Sequence, residues 1–245
     1  MIESVCMCEV VLKGDDMDSL VADGVDHWES SHPEFGLTPV SIRNYLESER
    51  RIDGPTERLA EIGEIVISPV SADLGEEIIE FFDRRVFAGN PAWGMCYCMF
   101  HHLGGRYSGD WPNRTWQENR RDLERRVDSG ATTGVVAHVD GVLAGWCNAS
   151  GRSAFPSLAD GEDDAVGSIV CFAVAPPYRG HGVSRAMLDG ALELLRSQGR
   201  TVAEAYPVDQ PEDGATAYVG TLALYESAGF DVVSEEPLVV RRRLG

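Results

Sequence analysis

The segment Arg179-Gly180-His181-Gly182-Val183-Ser184 lies between an apolar run, Ile169-Val170-Cys171-Phe172-Ala173-Val174, and an amphipathic helical pattern. Strand, glycine-rich bend and helix in that order build an anion cradle. The two glycines remove side chains that would hold a ligand off the backbone, and the following helix aims unpaired N–H groups and the positive end of its dipole into the bend. A pyrophosphate fits such a bend. The spacing lacks the lysine of G-x-x-x-x-G-K-[ST] and is not G-x-G-x-x-G, so nucleoside triphosphate and dinucleotide readings both weaken.

Arg179 opens the bend directly after Ala175-Pro176-Pro177-Tyr178. The segment resembles the acetyl-CoA-binding pattern Gln/Arg-x-x-Gly-x-Gly/Ala of the GNAT superfamily of N-acetyltransferases. Arg179 and Gly182 match, and Ser184 stands where the family has its last Gly or Ala. Downstream, Leu222-Ala223-Leu224-Tyr225-Glu226-Ser227-Ala228-Gly229-Phe230 resembles the family's LYExxGF helix and its glycine stop. The two landmarks come in the family's order, and their separation leaves room for one helix, one strand and a loop. The resemblance covers roughly residues 63 to 245. It implies an α/β (α+β) domain, a twisted mixed central sheet with helices on both faces, preceded by a small helical extension over residues 1–62.

The resemblance also implies a division of labour. Main-chain groups of Phe172, Ala173 and Val174 would hold the acetyl and pantetheine arm where their strand splays from the next one. The backbone of Arg179, Gly180, His181, Gly182, Val183 and Ser184 would hold the diphosphate of acetyl-CoA, and Tyr225 would protonate the leaving sulfur. A phenol of pKa about 10 and a thiol of about 8.5 are close enough that positioning matters more than acidity. Tyr218 occupies the place where many members carry a pantetheine-contacting asparagine, and its spacing of seven from Tyr225 puts both on one helix face. Glu204 lies mid-strand in Val202-Ala203-Glu204-Ala205-Tyr206. A carboxylate there needs cleft solvent or a cationic partner, and it reads either as base or amine-binding group or as a solvated strand-edge carboxylate. Many family enzymes deprotonate the amine through water, so a dedicated base is not required.

Trp93-Gly94-Met95-Cys96-Tyr97-Cys98-Met99-Phe100-His101-His102 resembles a W-x-x-C-Y-C block of one subgroup of the family, as do Trp146-Cys147-Asn148 and Glu204-Ala205-Tyr206-Pro207. In an extended chain Cys96, Cys98 and Phe100 would face one way, with Tyr97, Met99 and His101 facing the other. Trp93, Cys96, Tyr97, Cys98 and Trp146 are the candidate lining of an acceptor pocket. Cys98 could alternatively be a nucleophile beside His101 or His102, although no third orienting group can be named. Cys6-x-Cys8 and Cys96-x-Cys98 could share a zinc ion, but structural zinc sites favour two to four residues between cysteines. The favoured reading is that these cysteines are small buried hydrophobes, with no metal.

The net charge of −19 comes from 40 acidic against 21 basic residues, with Lys13 the sole lysine, a composition like that of a halophile's cytoplasmic proteins. Such a surface repels nucleic acid and anionic membrane, and it repels CoA too unless salt screens it; the Debye length is about 3 Å at molar salt. An acidic field that recruits a cationic amine is the alternative to a merely solvated face. Six cysteines and a start, Met1-Ile2-Glu3-Ser4, without signal-peptide features suggest a cytoplasmic protein with reduced thiols. No apolar stretch approaches the roughly 20 residues of a membrane span.

Within the extension, Val10-Val11-Leu12 precedes helices expected near 18–30 and 39–50, separated by the breaker Ser31 to Gly36. The cluster His27-Trp28, His32-Pro33-Glu34-Phe35 and the following Arg43-Asn44-Tyr45 read as structural, as a cap on the acceptor site, or as a homodimer surface. A strand is expected from Glu64 to Val70, then a helix capped by Ser71 with Leu74, Ile78, Phe81 and Phe82 on one face. Gly89 to Pro112 reads as a long structured loop or broken strand. Thr115-Trp116-Gln117-Glu118 is a capping box whose helix Gly130 ends. Strands Thr133–Val139 and Val142–Cys147 flank the type I′ hairpin signal Asp140-Gly141. After the loop Ser150 to Asp164 come a strand Val166–Val174 and a helix with Val183, Met187, Ala191 and Leu194 on one face. A strand Thr201–Val208, an acidic turn Asp209 to Gly214, a helix Tyr218–Ala228 and a closing strand Leu238–Arg243 complete the chain. These expectations describe an acetyl-CoA-dependent transferase acting directly on a primary amine of a small molecule or peptide. A non-catalytic acyl-CoA-binding or regulatory module, and a thiol- or metal-dependent interaction protein built on the cysteine block, are the competing classes.

Overall fold

The structure is a computed structural model and describes residues 1–105, 109–158, 164–209 and 216–245. Among these, seven strands form one mixed sheet: β3 (Ile65–Pro69), β4 (Gly134–Val139), β5 (Val142–Gly151), β6 (Val166–Val174), β7 (Val202–Ala205), β8 (Asp231–Glu235) and β9 (Leu238–Arg243). The spatial order is β3-β4-β5-β6-β7-β9-β8. Neighbours are antiparallel except β6 and β7, which run parallel and are joined through helix α5 (Val183–Ser197). A parallel pair needs such a crossover.

Alternation along the strands sends side chains to two cores. Val135, Ala137, Cys147, Phe172 and Val174 pack with Val183, Met187, Leu188 and Ala191 of α5 and with Tyr225 of helix α6 (Leu222–Ser227). Their sequence neighbours Val136, Trp146 and Ala173 point to the other face, against Ile78 of α3 (Gly75–Glu80) and Leu123 and Val127 of α4 (Trp116–Asp128). This is the two-sided mixed sheet the sequence leads one to expect. At the β4–β5 turn Asp140 and Gly141 both have positive φ, 51° and 77°, as a type I′ hairpin demands. Thr115 and Glu118 close the expected capping box on α4.

Several elements differ from expectation for local reasons. Ser71 makes no side-chain cap; the chain enters through a 3-10 turn at Ala72–Leu74, and a π turn at Phe81–Arg85 follows α3. The strand expected over Thr201–Val208 is regular only over Val202–Ala205, with Pro207 unable to donate to a ladder. The single helix expected over Tyr218–Ala228 is split, because Gly220 adopts φ 82° between a 3-10 turn at Thr216–Val219 and α6, which Thr221 caps. The expected acidic turn lies, from residue 210 to 214, outside the described residues. Strand β8, absent from the sequence reading, pairs with β9 at the sheet edge.

The N-terminal extension is a hairpin of β1 (Ile2–Val5) and β2 (Val11–Gly14) followed by α1 (Met17–Ser31) and α2 (Pro39–Arg51). Its own core is small: Leu12, Leu20, Val21, Ile42 and Leu46 are the buried members. Helix α2 is fastened to the segment between α3 and α4. Asn44, 3% exposed, donates to the Arg114 carbonyl at 2.8 Å and accepts from the Trp116 backbone N–H at 3.0 Å. Arg51 donates to the carbonyls of Asp83 at 2.6 Å and Gly94 at 2.9 Å and lies over the Trp116 ring. The extension therefore braces the loop that carries the cysteine block. No helix among the described residues is long and apolar enough to cross a membrane.

Candidate functional site

The cradle begins where β6 ends. Pro176–Tyr178 form a 3-10 turn, Gly180 and Gly182 follow with φ of 76° and 84°, and α5 starts at Val183 with Gly182 as its N-cap. The left-handed conformation at both glycines carries a penalty for any residue with a Cβ. Gly182 has no side-chain cap, and its Cα faces open space with no atom within 4 Å of a notional Cβ. The first hydrogen bond of α5 runs from the Ala186 N–H to the Gly182 carbonyl at 3.0 Å, so the N–H groups of the preceding bend stay outside the helical ladder.

The side chains around the bend take roles that the sequence did not show. Arg179 turns back onto the fold, its Nε donating to the Val174 carbonyl at 2.9 Å and its terminal nitrogen to the Val86 carbonyl at 3.3 Å. It shapes the bend and does not reach into it. His181 Nε2 lies 2.9 Å from the Leu59 carbonyl, and the Leu59 N–H donates to Pro177 at 2.9 Å. This strap brings Arg58 to the cradle, with a guanidinium nitrogen 3.3 Å from where a Cβ on Gly180 would sit. Arg58 is thus an anion-attracting group that sequence reasoning missed. A single arginine in a segment without periodicity carries no signal of its own.

Next to the cradle the sheet opens. β6 pairs with β7 from Val166 through Ile169 and no further. Beyond the last pair, Val170 and Cys171 on one side and Tyr206 and Val208 on the other line a cavity of about 430 Å³. That size suits a small molecule or one side chain. The rest of the lining includes Phe82, Phe87, Trp93, Phe100, Trp111 and Tyr218, together with Cys96, Cys98 and His101. No Asp, Glu, Lys or Arg is among the lining residues described.

The cysteine block is not extended. Tyr97 and Cys98 have φ of 45° and 56°, in a series of tight turns, so the expected alternation of faces does not hold. Trp93, Cys96 and Cys98 nevertheless reach the cavity. Tyr97 and Trp146 do not: both are fully buried behind Phe82, with ring centroids 5.8 and 5.6 Å from it. Tyr97 donates to Asp83 at 2.5 Å.

Cys98 has no base beside it. The Asn148 amide stands between, donating to Cys98 Sγ at 3.2 Å and lying 3.0 Å from His102 Nε2, while His102 Nδ1 is 3.1 Å from the Ala154 carbonyl. A hydrogen bond with Cys171, then one from Asn148, draws the Cys98 thiol down against the opposing effect of burial. Burial pushes His101 and His102 down to about 4, so both imidazoles are neutral near pH 7. The nucleophile reading loses its general base on this geometry.

Glu204 is 1% exposed and fully engaged. Arg241 donates to it at 2.7 Å, Arg152 lies at 3.5 Å, and the Tyr206 hydroxyl donates to the same carboxylate. The cationic partner that a buried carboxylate requires is present, which corrects the reading of Glu204 as a free base or amine-binding group. Tyr225 is also fully buried, in contact with Phe172 and Phe230, with its hydroxyl donating to the Val219 carbonyl at 3.0 Å. Tyr218 stands in the cavity wall against Phe87 and Trp93. With the helix broken at Gly220, Tyr218 and Tyr225 do not share a helix face, contrary to expectation.

Residues 98–230 match the profile of the acetyltransferase (GNAT) family. Similar solved structures include an N-acetyltransferase from Staphylococcus aureus Mu50, 12% identical, which covers 75% of this chain and 100% of its own with a TM-score of 0.47. A GCN5-related N-acetyltransferase from Kribbella flavida is 20% identical, with 74% and 98% covered and a TM-score of 0.45. A PaiA N-acetyltransferase from Thermoplasma acidophilum, solved in complex with coenzyme A, is 14% identical, with 74% and 99% covered and a TM-score of 0.45.

Proposed function

The chain belongs to the acetyltransferase (GNAT) family, and we propose that it transfers the acetyl group of acetyl-CoA directly to a primary amine carried on an apolar or aromatic body. The observation that carries this reading is that a bend of open backbone at Gly180–Val183 and an uncharged aromatic cavity both follow the point on β6 where β7 parts from it. The bend's N–H groups, the N-terminal end of α5 and Arg58 would hold the diphosphate. The residues fit that group: the bend presents open backbone at Gly182, and the side chain nearest Gly180 is the cationic Arg58. Acetyl-CoA supplies the activated acyl group, a thioester whose sulfur leaves as a thiolate.

The chain's own groups then have three tasks. The edge of β6 that β7 leaves uncovered beyond Ile169, which includes Phe172 and Ala173, offers main-chain donors and acceptors to the pantetheine arm and to the carbonyl that becomes negative during attack, while the Val174 carbonyl is already held by Arg179. The aromatic cavity lowers the pKa of a bound ammonium by desolvation, and so presents the amine in its neutral, nucleophilic form. No carboxylate base is then needed, consistent with Glu204 being engaged by Arg241. Tyr225, whose hydroxyl donates to the Val219 carbonyl behind the cavity wall, would serve as proton donor for the departing sulfur by turning from that carbonyl into the cleft.

The test is calorimetry with CoA across a salt series, followed by thiol release from acetyl-CoA with a panel pairing aromatic amines against polyamines. Turnover that favours aromatic amines supports the reading. Absence of CoA binding at every salt concentration sinks it, and CoA binding without turnover on any amine favours a binding module.

A further inference from the structure

We propose that Cys6, Cys8, His27 and His32 bind a zinc ion that clamps the N-terminal hairpin to the end of α1. The thiols and imidazoles of these four residues bring their ligand atoms to within 4.8 Å of one another. Cys6 Sγ lies 3.5 Å from His32 Nε2, and Cys8 Sγ lies 3.3 Å from His27 Nε2. A tetrahedral zinc ion with Zn–S of about 2.3 Å and Zn–N of about 2.0–2.1 Å separates its ligands by roughly 3.3 to 3.8 Å. The two sulfur–nitrogen distances fall in that range without any rearrangement. Two thiolates and two imidazoles are a donor set that suits zinc, and the resulting centre carries no net charge.

The local fold explains how four residues separated in sequence converge. β1 and β2 pair from Ile2–Gly14 to Val5–Val11, which leaves Cys6 and Cys8 on the tip of the hairpin. The tip is a tight knuckle. The Cys6 N–H donates to the Val10 carbonyl at 2.9 Å, the Glu9 N–H donates to the Cys6 carbonyl at 2.8 Å, and Glu9 takes a φ of 69°. That turn lets two cysteines one residue apart face the same point. The close spacing, which weighed against the pair in the sequence, therefore does not keep both thiols from serving as ligands.

On the other side, His27 lies just before the last turn of α1 and His32 is its C-cap, with the His32 N–H donating to the Trp28 carbonyl at 2.9 Å. Four residues separate the histidines, within the spacing usual for structural zinc sites. Trp28 and Phe35 hold the His32 ring, at centroid distances of 4.8 and 6.2 Å. No basic residue occupies the last turn of α1, so a cation placed there also faces the negative end of the helix dipole.

Binding zinc displaces both thiol protons to solvent. The physical need for the ion is the small core of the extension, five buried apolar side chains, in a segment that must hold α2 rigid against Arg114 and Gly94. A core this small is marginal by itself, and a structural metal is one of the ways in which such small modules are stabilised. The cysteine pairing considered from sequence does not arise, because Cys98 is engaged by Asn148 under the main sheet, away from these partners.

The experiment uses the full chain without a histidine tag, purified under reducing conditions, loaded with zinc and dialysed. Elemental analysis should find one zinc per chain, and cobalt(II) should give thiolate charge-transfer and intense tetrahedral ligand-field bands. Cys6→Ser/Cys8→Ser should abolish both signals, while Cys96→Ser/Cys98→Ser should keep them. His27→Gln, at a part-exposed position, should weaken zinc at least ~10²-fold in a chelator competition while leaving the circular dichroism of the chain native. Substoichiometric zinc in the reduced wild type, or zinc retained after loss of Cys6 and Cys8, would overturn the proposal. So would a Cys6–Cys8 disulfide that persists under reducing conditions.

Discussion

The Tyr225 hydroxyl donates to the Val219 carbonyl at 3.0 Å, and Val219 forms part of the cavity wall. One peptide thus separates a fully buried phenol from the proposed acceptor site. Burial raises Tyr225 well above its usual 10, so it keeps its proton throughout the working pH range. Tyr225→Phe is expected to lower kcat for acetyl transfer by roughly 10²-fold and stability by about 1 kcal/mol. The wild-type rate should rise with pH as the amine deprotonates, with no falling limb below about pH 10. Tyr218→Phe keeps the ring packed on Phe87 and Trp93 and is the comparison variant. If it costs more kcat than Tyr225→Phe, the proton comes from Tyr218 instead.

Glu204 should behave as a structural residue. Its carboxylate is 1% exposed between Arg241 and Arg152, and removing one partner of a buried pair leaves the other uncompensated. Glu204→Gln is expected to cost about 3 kcal/mol, the low end for buried pairs, because the Arg241 side chain is 43% exposed. Urea unfolding measures that loss. The pH–rate profile of the folded fraction should match the wild type, and a lost acidic limb would return Glu204 to the catalytic machinery.

What the chain reveals before folding follows the range of each interaction. The β4–β5 hairpin, the α4 capping box and the β6–bend–α5 unit are local: Asp140-Gly141, Thr115 with Glu118, and Gly180 with Gly182 each settle their own geometry within a few residues. The candidate site is legible to the same extent. Its cradle is continuous in sequence, and three of the five expected pocket residues, Trp93, Cys96 and Cys98, reach the cavity. Features set by distant partners are not legible. Arg58 reaches the cradle through Leu59 and His181, 122 positions apart, and Glu204 meets Arg241 across a strand pair. Tyr97 and Trp146 follow the same rule, because positive φ at Tyr97 and packing on Phe82 turn them from the cavity.

Acid should weaken the fold through His102. Its folded pKa is pushed down to about 4, first by burial and then by Arg126, against about 6.5 in the unfolded chain. Between those values the unfolded state binds the additional proton, so stability rises with pH across that window and is lost as pH falls from about 6.5 toward 4. The full loss at this residue is about 3 kcal/mol. Urea midpoints at pH 7 and pH 5 should differ in that direction. The pH dependence should be shallower in His102→Gln, and an unchanged slope would show that His102 does not carry the effect.

Two glycines that bracket α5 separate the backbone cost of a substitution from its effect on the ligand. Gly182 and Gly199 have φ of 84° and 78°, and neither has an atom within 4 Å of a notional Cβ. Alanine at either position costs about 1–2 kcal/mol from the left-handed backbone, so thermal unfolding should shift alike for both variants. Gly182 lies at the N-terminal end of α5 where the diphosphate is proposed to sit, whereas Gly199 follows the helix's other end. Gly182→Ala should therefore weaken CoA at least ~10-fold by calorimetry, about 1.4 kcal/mol, and Gly199→Ala should leave the affinity unchanged. Equal CoA affinity in the two variants would mean that the bend is not where the diphosphate binds.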